Sequence, residues 1–306
     1  MPGPALEDGP HDEGAPYERL VLTSHWSLCS ALPSEPAGPP GPALAQWIPI
    51  PALGTAAAAL RDVQDWSLDE APRRFDALDW WYRLEFAAAP ASPGERVLLG
   101  FDGLATLAQV WLNGRELLHS DNMFVAHVCD VSRLLQPTGN TLLLRFAALD
   151  TALAQRRPRP RWRAPMVEHQ QLRWLRTTLL GRTPGWSVPA AAVGPWKDIW
   201  LERRRDFEWN GLRLQPRVQG TDGRLHCALQ LLALGTEAVA SAVLHVKRQG
   251  RSYSQALSPG QDGRWSAELQ VPDVDLWWPH THGQAALYEV CVRVSMDAGK
   301  IGRAHV

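Results

Sequence analysis

Residues 108–117 read AQVWLNGREL, and this stretch decides the fold class of the chain. A run of strand-forming residues leads up to the dipeptide Asn113-Gly114. Both central residues of a type I′ turn need φ > 0, which asparagine and glycine tolerate best. The stretch therefore predicts two antiparallel strands joined by a tight two-residue turn.

Similar short strands are predicted on both sides of this hairpin. They are WWYRLEF (80–86), RVLLGF (96–101), FVAHVCDV (124–131), TLLLRFAAL (141–149) and WKDIWLERR (196–204). A short helix is predicted over residues 54–64, and the leucine spacing of residues 168–182 predicts a second, which would stop at Gly181. Many short strands with few helices predict an all-β sandwich or jelly roll over residues 17–205.

A second all-β unit is predicted after the charged run from Arg203 to Asp206. Its strand-like runs are LHCALQLLAL, AVLHVKR, WSAELQV and LYEVCVRVS. Their spacing over residues 206–298 is typical of an immunoglobulin-like sandwich. We expect residues 275–290, DLWWPHTHGQAALYEV, to form its closing strand pair.

The Pro/Gly-rich segments predict little regular structure. We expect residues 1–16 to be a mobile N-terminal segment and residues 33–42 to be mobile or irregular. The N-terminus also lacks the basic start and apolar core of a secretory signal, so a cytoplasmic location is expected.

The overall composition excludes several classes of partner. A length of 306 residues suits two domains, and a net charge of -1 argues against a nucleic-acid or anionic-membrane partner. No apolar run is long enough to span a membrane. Cys29, Cys129, Cys227 and Cys291 form no CxxC motif or Cys/His cluster, so no metal site or cofactor is expected.

The spacing of two cysteines leaves one alternative open. Cys227 and Cys291 lie in strand-like runs at a separation similar to that of the immunoglobulin disulfide. Buried free thiols are the expectation for a reducing cytoplasm.

Three segments carry a resemblance to a known family. Residues 101–135 with 139–146 resemble the N-terminal jelly-roll domain of glycoside hydrolase family 2. The phrases QLRWLRTTLLGRTPGW (171–186) and VGPWKDIWLE (193–202) resemble its β-mannosidase-like branch, and VDLWWPHTHGQAALYEVCV (274–292) resembles the end of its second domain. The resemblance covers residues 17–295 and implies a galactose-binding-like jelly-roll sandwich followed by an immunoglobulin-like β-sandwich.

The resemblance also implies a function. Members of the family are retaining glycosidases with two catalytic carboxylates about 5 Å apart. Both carboxylates lie on a (β/α)₈ barrel of roughly 250 residues, for which this chain has no room. We therefore predict an N-terminal fragment of a β-mannosidase-like enzyme, without catalytic residues and inactive alone. Its partner would be a β-linked sugar bound through the missing barrel; the alternative is a stand-alone carbohydrate-binding or interaction module.

Trp186 is the first candidate for sugar contact. It follows Pro184-Gly185 in a loop without apolar periodicity, and aromatic faces pack on the C–H faces of sugars. The β-mannosidases of the family carry an Asp-Trp-Gly element near this place. Here Gly185-Trp186-Ser187 keeps the tryptophan and lacks the aspartate, which leaves the sugar specificity open.

Further candidates lie upstream. Arg173, Trp174 and Arg176 could contact hydroxyl or carboxylate groups, since a guanidinium presents a fork of donors; a solvated helix face is the alternative. Asp121-Asn122 could bind hydroxyls or form an Asx turn.

Other tryptophans are expected to be structural. Trp111, Trp196 and Trp200 lie in strand-like runs and predict core packing. Trp277 and Trp278 precede Pro279 at the end of the second unit, where they would contact the missing barrel or seal the domain. We expect both to be exposed in this chain.

The last residues, KIGRAHV (300–306), predict a tail of foreign origin. The codons AAG ATC GGA AGA GCA CAC GTC would encode them, and this string resembles a sequencing-library adapter. We expect residues 299–306 to be non-native and the natural reading frame to continue past Gly299. A genomic stop codon directly after a Val306 codon would contradict this.

Overall fold

The computed structural model describes residues 17–33, 46–158, 160–297 and 301–305, the last of these for the backbone alone. The expectations for residues 1–16 and for most of residues 33–42 lie outside these ranges. The chain divides into two compact units. The first combines Arg19–Ala91 with Val97–Glu202, and the second combines Ser92–Arg96 with the chain from Arg203 onward.

The first unit is a two-sheet sandwich, and the prediction of an all-β jelly roll is confirmed. One sheet has the strand order β1-β12-β5-β9 and the other the order β3-β2-β4-β10-β7-β8, while β6 pairs with β11. The strands are β1 (Tyr17–Val21), β2 (Trp26–Ala31), β3 (Ile48–Ile50), β4 (Asp79–Phe86), β5 (Glu95–Phe101), β6 (Leu104–Ala105), β7 (Ala108–Leu112), β8 (Arg115–Ser120), β9 (His127–Asp130), β10 (Asn140–Phe146), β11 (Gly194–Pro195) and β12 (Ile199–Arg205).

Short helices connect some of these strands. The predicted first helix is confirmed as α1 (Ala56–Asp62), which Thr55 caps by accepting a hydrogen bond from Ala58 N. A second helix, α2 (Leu149–Ala154), follows β10, and 3₁₀ turns cover Phe75–Ala77 and Gln170–Trp174.

Strand β4 explains where the core lies. Successive side chains of a strand point to opposite faces. Trp80, Tyr82, Leu84 and Phe86 all belong to the main core, where each is at most 1% exposed. The opposite face carries Trp81, which stacks on Trp111 of β7 with ring centroids 5.7 Å apart. The six-stranded sheet therefore buries aromatic side chains on both faces.

The predicted hairpin is confirmed. Leu112 of β7 pairs with Arg115 of β8, and the two residues between them have positive φ, 51° at Asn113 and 79° at Gly114. Asn113 also donates its side-chain amide to Leu134 O at 2.8 Å. The same residue therefore makes the turn and ties it to a distant loop.

The predicted helix over residues 168–182 is wrong beyond its first turn. After the 3₁₀ turn Gln170–Trp174 the chain is irregular, since Arg176 pairs with Asn122 and Thr177 bonds to Thr106. Gly181 ends no helix. A Cβ there would meet the backbone of Ala190 and Ala191, so glycine permits a close approach of two chain segments.

The second unit is also built from two sheets. Their strand orders are β13-β14-β18-β17 and β16-β15-β19-β20, and a shared core takes buried side chains from both. The strands are β13 (Phe207–Gln219), β14 (Asp222–Ala233), β15 (Val239–Arg248), β16 (Arg251–Ala256), β17 (Ser258–Pro259), β18 (Arg264–Val271), β19 (Glu289–Met296) and β20 (Ile301–His305), with a 3₁₀ turn over Gln261–Gly263.

The predicted closing strand pair at residues 275–290 is wrong for most of its length. No strand lies between Val271 and Glu289. The Asp275 carboxylate accepts hydrogen bonds from Arg248 and Arg251, and its backbone N–H bonds to the Tyr288 hydroxyl at 2.9 Å. These contacts make a braced loop. Strand β19 begins after it and pairs with β20.

The charged run after Glu202 is an ion-pair cluster of the second unit. Arg205 Nε lies 2.7 Å and Arg203 Nη1 3.3 Å from the Glu95 carboxylate. Burial by itself raises the pKa of Glu95. Hydrogen bonds from Arg205 and Ser92 and the charges of Arg203 and Arg205 together lower it by more, so the net shift of the pKa is downward. Glu95 therefore keeps its charge, and with it these pairs, at mildly acidic pH.

We predict that Asp79→Asn strongly destabilises the first unit. Asp79 and Arg145 form an ion pair whose side chains are 1% and 6% exposed, and losing one partner of a buried pair costs about 3–5 kcal/mol of unfolding free energy. Urea unfolding measures the loss. The matched control is Asp65→Asn, because the Asp65–Arg73 pair is well exposed and should cost less than about 1 kcal/mol. Equal effects of the two substitutions would contradict the prediction.

Candidate functional site

Trp186 lies at the tip of a braced loop. Its side chain is 75% exposed. Below it, Trp186 N donates to Thr183 O at 3.1 Å, and Ser187 Oγ accepts from Gly181 N at 2.9 Å. Gly185 has φ +79° with open space around the position of a Cβ, so the turn itself requires glycine. The loop holds a large aromatic face in solvent.

A buried ion pair anchors the base of this loop. Arg182 donates from Nε and Nη2 to the two carboxylate oxygens of Asp76, each at 2.7 Å, and from Nη1 to Thr178 O at 2.9 Å. Bidentate pairs of this kind fix orientation as well as adding energy. The base is therefore rigid although the tip is exposed. No local pattern signalled the pair, because its members lie 106 residues apart in sequence.

Arg173 is engaged within its own segment. Its guanidinium lies 4.3 Å from the ring centroid of Trp162, and it donates to Gln170 O and Gln170 Oε1 at 2.7 Å each. Trp162 is 63% exposed. Arg173 thus positions an exposed tryptophan that the sequence did not single out.

Trp174 and Arg176 line a cavity of about 660 Å³ on the outer face of the six-stranded sheet. Trp174 is 46% exposed. Trp186 and Arg173 are not among the residues that line this cavity. The structure therefore separates the four predicted residues into a cavity pair, an exposed loop tip and an internally bonded arginine.

From the sequence alone, the other polar residues of this cavity were not grouped into one site. Gln109, His119, Asp121 and Arg157 also line it. The sequence could have placed two of them together only with the strand register, since Gln109 of β7 pairs directly with His119 of β8.

Asp121 and its neighbour have separate roles. Asn122 Oδ1 accepts a hydrogen bond from Phe124 N at 3.0 Å, so of the two alternatives the structure shows the Asx turn at Asn122. The adjacent Asp121 side chain lines the cavity instead.

The structural tryptophans follow the predictions with one exception. Trp111 and Trp200 are 6% and 4% exposed, as expected for core residues, and Trp277 and Trp278 are 57% and 48% exposed, as also expected. The prediction for Trp196 is wrong in part, because it is 37% exposed.

Two glycines explain how Trp196 and Trp200 are seated. A Cβ at Gly100 would overlap the Trp200 ring, and one at Gly103 would overlap the Trp196 ring. The indole N–H of Trp200 donates to Asp102 Oδ1 at 2.9 Å, and that of Trp196 donates to Met123 O at 2.8 Å. The segment 100–103 therefore packs against two indole rings, and glycine at positions 100 and 103 leaves room for them.

The cysteines and other titratable groups offer no metal centre in the part of the chain that the structure describes. No group of three or more His, Cys, Asp or Glu side chains there could hold an ion. Cys29, Cys129 and Cys227 have free thiols, and burial raises the pKa of Cys227 to about 11, so this thiol stays protonated at neutral pH. Among the described helices, none is long and apolar enough to cross a membrane.

Comparison with known families identifies the first unit. Residues 43–197 match the family described as glycosyl hydrolase 2 galactose-binding domain-like, and the chain belongs to this family. The resemblance found in the sequence is confirmed, and the jelly roll is of the galactose-binding-like type.

Curated relatives narrow the resemblance. The chain is 26% identical over 306 residues to beta-mannosidase B of Aspergillus clavatus, covering 94% of this chain and 34% of that protein. It is 28% identical over 240 residues to beta-mannosidase B of Aspergillus terreus, covering 72% of this chain and 27% of the relative. The chain thus spans about a third of the length of the curated relatives that it matches.

Solved structures share the fold. A beta-D-mannosidase from Dictyoglomus thermophilum has a TM-score of 0.67 at 19% identity, covering 94% of this chain and 36% of that one. An exo-chitosanase from Amycolatopsis orientalis has a TM-score of 0.61 at 15% identity, covering 94% of this chain and 33% of that one. At these identities the likeness describes the fold and not the substrate.

We predict that Trp186→Ala leaves folding almost unchanged, whereas Trp111→Ala is strongly destabilising. Trp186 is 75% exposed, so its loss should change the unfolding free energy by about 0.5 kcal/mol or less. Truncation of the buried Trp111 should cost about 3–5 kcal/mol through the cavity that it leaves. Urea unfolding of both variants checks this. A large loss with Trp186→Ala would mean that the exposed ring is structural.

Proposed function

We propose that this chain is the N-terminal, non-catalytic part of a retaining β-glycosidase of the β-mannosidase-like kind, which hydrolyses terminal β-mannosides. The supporting observation is that beta-mannosidases match this chain over nearly its whole length, yet it spans only 34% of the relative from Aspergillus clavatus. The catalytic carboxylates of the whole enzyme would then lie in the two thirds that have no counterpart here.

We also propose that the second unit is an immunoglobulin-like sandwich of this enzyme. In support, its two antiparallel sheets share a core in which Cys227, Leu244 and Val292 are completely buried. Such a unit carries no candidate catalytic group in this proposal. Its role is to hold the neighbouring parts of the enzyme in place.

The loops of the first unit supply part of the sugar pocket in this proposal. Trp186 is the main candidate, because a braced loop presents an aromatic face that nothing in the described chain covers, and such faces pack against sugar rings. Trp174 and Arg176 are further candidates for sugar contact, at a separate cavity that they line and Trp186 does not. Arg173 acts indirectly, since its guanidinium holds Trp162 and Gln170.

A second candidate function is that of a carbohydrate-binding or interaction module without catalysis. The cavity that Trp174 lines favours it, because the cavity is formed within the first unit alone. The two functions differ in mannose affinity. A glycosidase pocket needs its missing wall, so the chain alone should bind mannose weakly or not at all. Micromolar binding of mannose in calorimetry would favour the module.

We predict that the purified chain does not turn over nitrophenyl β-mannoside, because in this proposal the pair of carboxylates that retaining hydrolysis needs lies in the two thirds of the enzyme that have no counterpart here. The natural gene product that continues past residue 299 should hydrolyse this substrate. In that longer protein, Trp186→Ala should raise KM or lower kcat/KM about tenfold or more, the equivalent of about 1.4 kcal/mol of lost binding. Arg163→Ala, an exposed residue outside the loop and cavity, is the control and should have no effect.

Two results would contradict the proposal. The first is measurable hydrolysis by the pure 306-residue chain. The second is a longer natural product that folds and has no glycosidase activity toward any β-linked sugar.

A further inference from the structure

A buried ion pair forms the floor of the cavity on the outer face of the six-stranded sheet. Arg145 donates from Nε and Nη2 to Asp79 Oδ2 at 2.9 and 2.6 Å, and Ala148 N donates to Asp79 Oδ1 at 2.8 Å. Both ionic side chains are nearly inaccessible to solvent. Their charges cancel, so the floor strongly attracts neither anionic nor cationic ligands. The pair serves as a rigid base.

One donor of the floor remains available to a ligand. Gln109 Oε1 accepts from Arg145 Nη1 at 3.0 Å, which fixes the orientation of the amide. Its nitrogen then keeps two hydrogens, and none of the described residues accepts them. His119, the cross-strand partner of Gln109, lines the same cavity and is exposed.

The walls carry unbalanced positive charge. Arg157 and Arg176 line the cavity, and among the described residues neither has an ion-pair partner. Asp121 is the remaining unpaired carboxylate of the lining. Two guanidinium groups against one carboxylate leave a net charge of one positive unit.

The rest of the lining is apolar. Trp174 contributes a half-exposed indole, and Leu107, Leu175 and Ala152 contribute aliphatic surface. A mostly apolar wall with a few convergent polar groups is the usual composition of a small-molecule site. The volume of about 660 Å³ is ample for one sugar ring with its first waters.

We propose that this cavity binds a pyranose that carries a carboxylate, that is, a hexuronic acid residue. The sugar ring packs against Trp174, the carboxylate pairs with the guanidinium groups of Arg176 and Arg157, and Gln109 and Asp121 bond to hydroxyl groups. Planar guanidinium groups match carboxylates with two parallel hydrogen bonds, and the unbalanced charge favours an anionic over a neutral sugar.

This site is separate from the mannoside pocket proposed above. It needs no second wall, because all of its residues belong to the first unit. It would bind an acidic sugar of a glycan, attached either to the enzyme's own substrate or to another molecule, without cleaving it. Absence of binding here leaves the glycosidase proposal intact, and absence of mannosidase activity in the longer protein leaves this site intact.

The test is calorimetric titration of the purified chain with D-glucuronate, D-glucose and inorganic phosphate. We expect D-glucuronate to bind with millimolar affinity, at least fivefold more tightly than D-glucose or phosphate, and to weaken as salt is added. Trp174→Ala and Arg176→Ala should each weaken glucuronate binding at least fivefold. Trp277→Ala and Arg163→Ala, which remove an exposed tryptophan and an exposed arginine outside the cavity, should change it less than twofold.

Several outcomes would overturn the proposal. They are no measurable glucuronate binding, equal binding of glucose, equal binding of phosphate, or a loss of binding with the Trp277→Ala control as large as that with Trp174→Ala. Trp174 and Arg176 are both exposed, so their variants should fold. Circular dichroism of each variant checks this, and Arg176→Lys provides a second variant that keeps the charge but loses the paired donors.

Discussion

The alternation of side chains along β4 is the constraint on which the first unit depends. One face of the strand gives Trp80, Tyr82, Leu84 and Phe86 to the main core. The other face contributes Trp81 to a smaller apolar cluster with Cys29, Trp111 and Leu143. Because the period is two, a slip of one residue would move every one of these side chains to the wrong face. The register of β4 is therefore fixed by burial on both sides.

The same register builds the floor of the outer cavity. Strand β10 pairs Arg145 with Trp81 on one side and with Gln109 of β7 on the other. This places the Arg145 guanidinium between Asp79 and Gln109, where it bonds to both. Arg145 of this cross-strand row thus joins a structural ion pair to a candidate ligand donor, which is why the cavity has a rigid base.

The loops owe their shape to contacts between distant parts of the chain. Arg182 is held by Asp76, and the loop above it presents Trp186 to solvent. Members of one fold family differ mostly in such loops, and function lies in the sites that they carry. The jelly roll therefore determines where such loops lie, and in the proposed function the loop residues would decide which sugar is contacted.

Sequence by itself determined the features that depend on local conformation. The hairpin at Asn113-Gly114, the short helix within residues 54–64, the strand-like runs and the all-β class follow from φ preferences, helix propensity and side-chain period. The family resemblance rested partly on the same strands and partly on residues 171–186 and 274–292, whose local structure was predicted wrongly. Trp111 and Trp200 could also be assigned to the core, because they lie in runs whose period predicts burial.

Tertiary structure decided what depends on partners far away in sequence. The leucines of residues 168–182 have helical spacing, yet the segment stays irregular, because Arg176 pairs with Asn122 and the Thr177 hydroxyl bonds to the Thr106 hydroxyl. The loop at residues 275–288 likewise replaces a predicted strand, because Arg248 and Arg251 hold Asp275. The grouping of Trp174 and Arg176 with Gln109 needed the strand register. Local preferences amount to small energies per residue, and specific long-range contacts outweigh them wherever the two disagree.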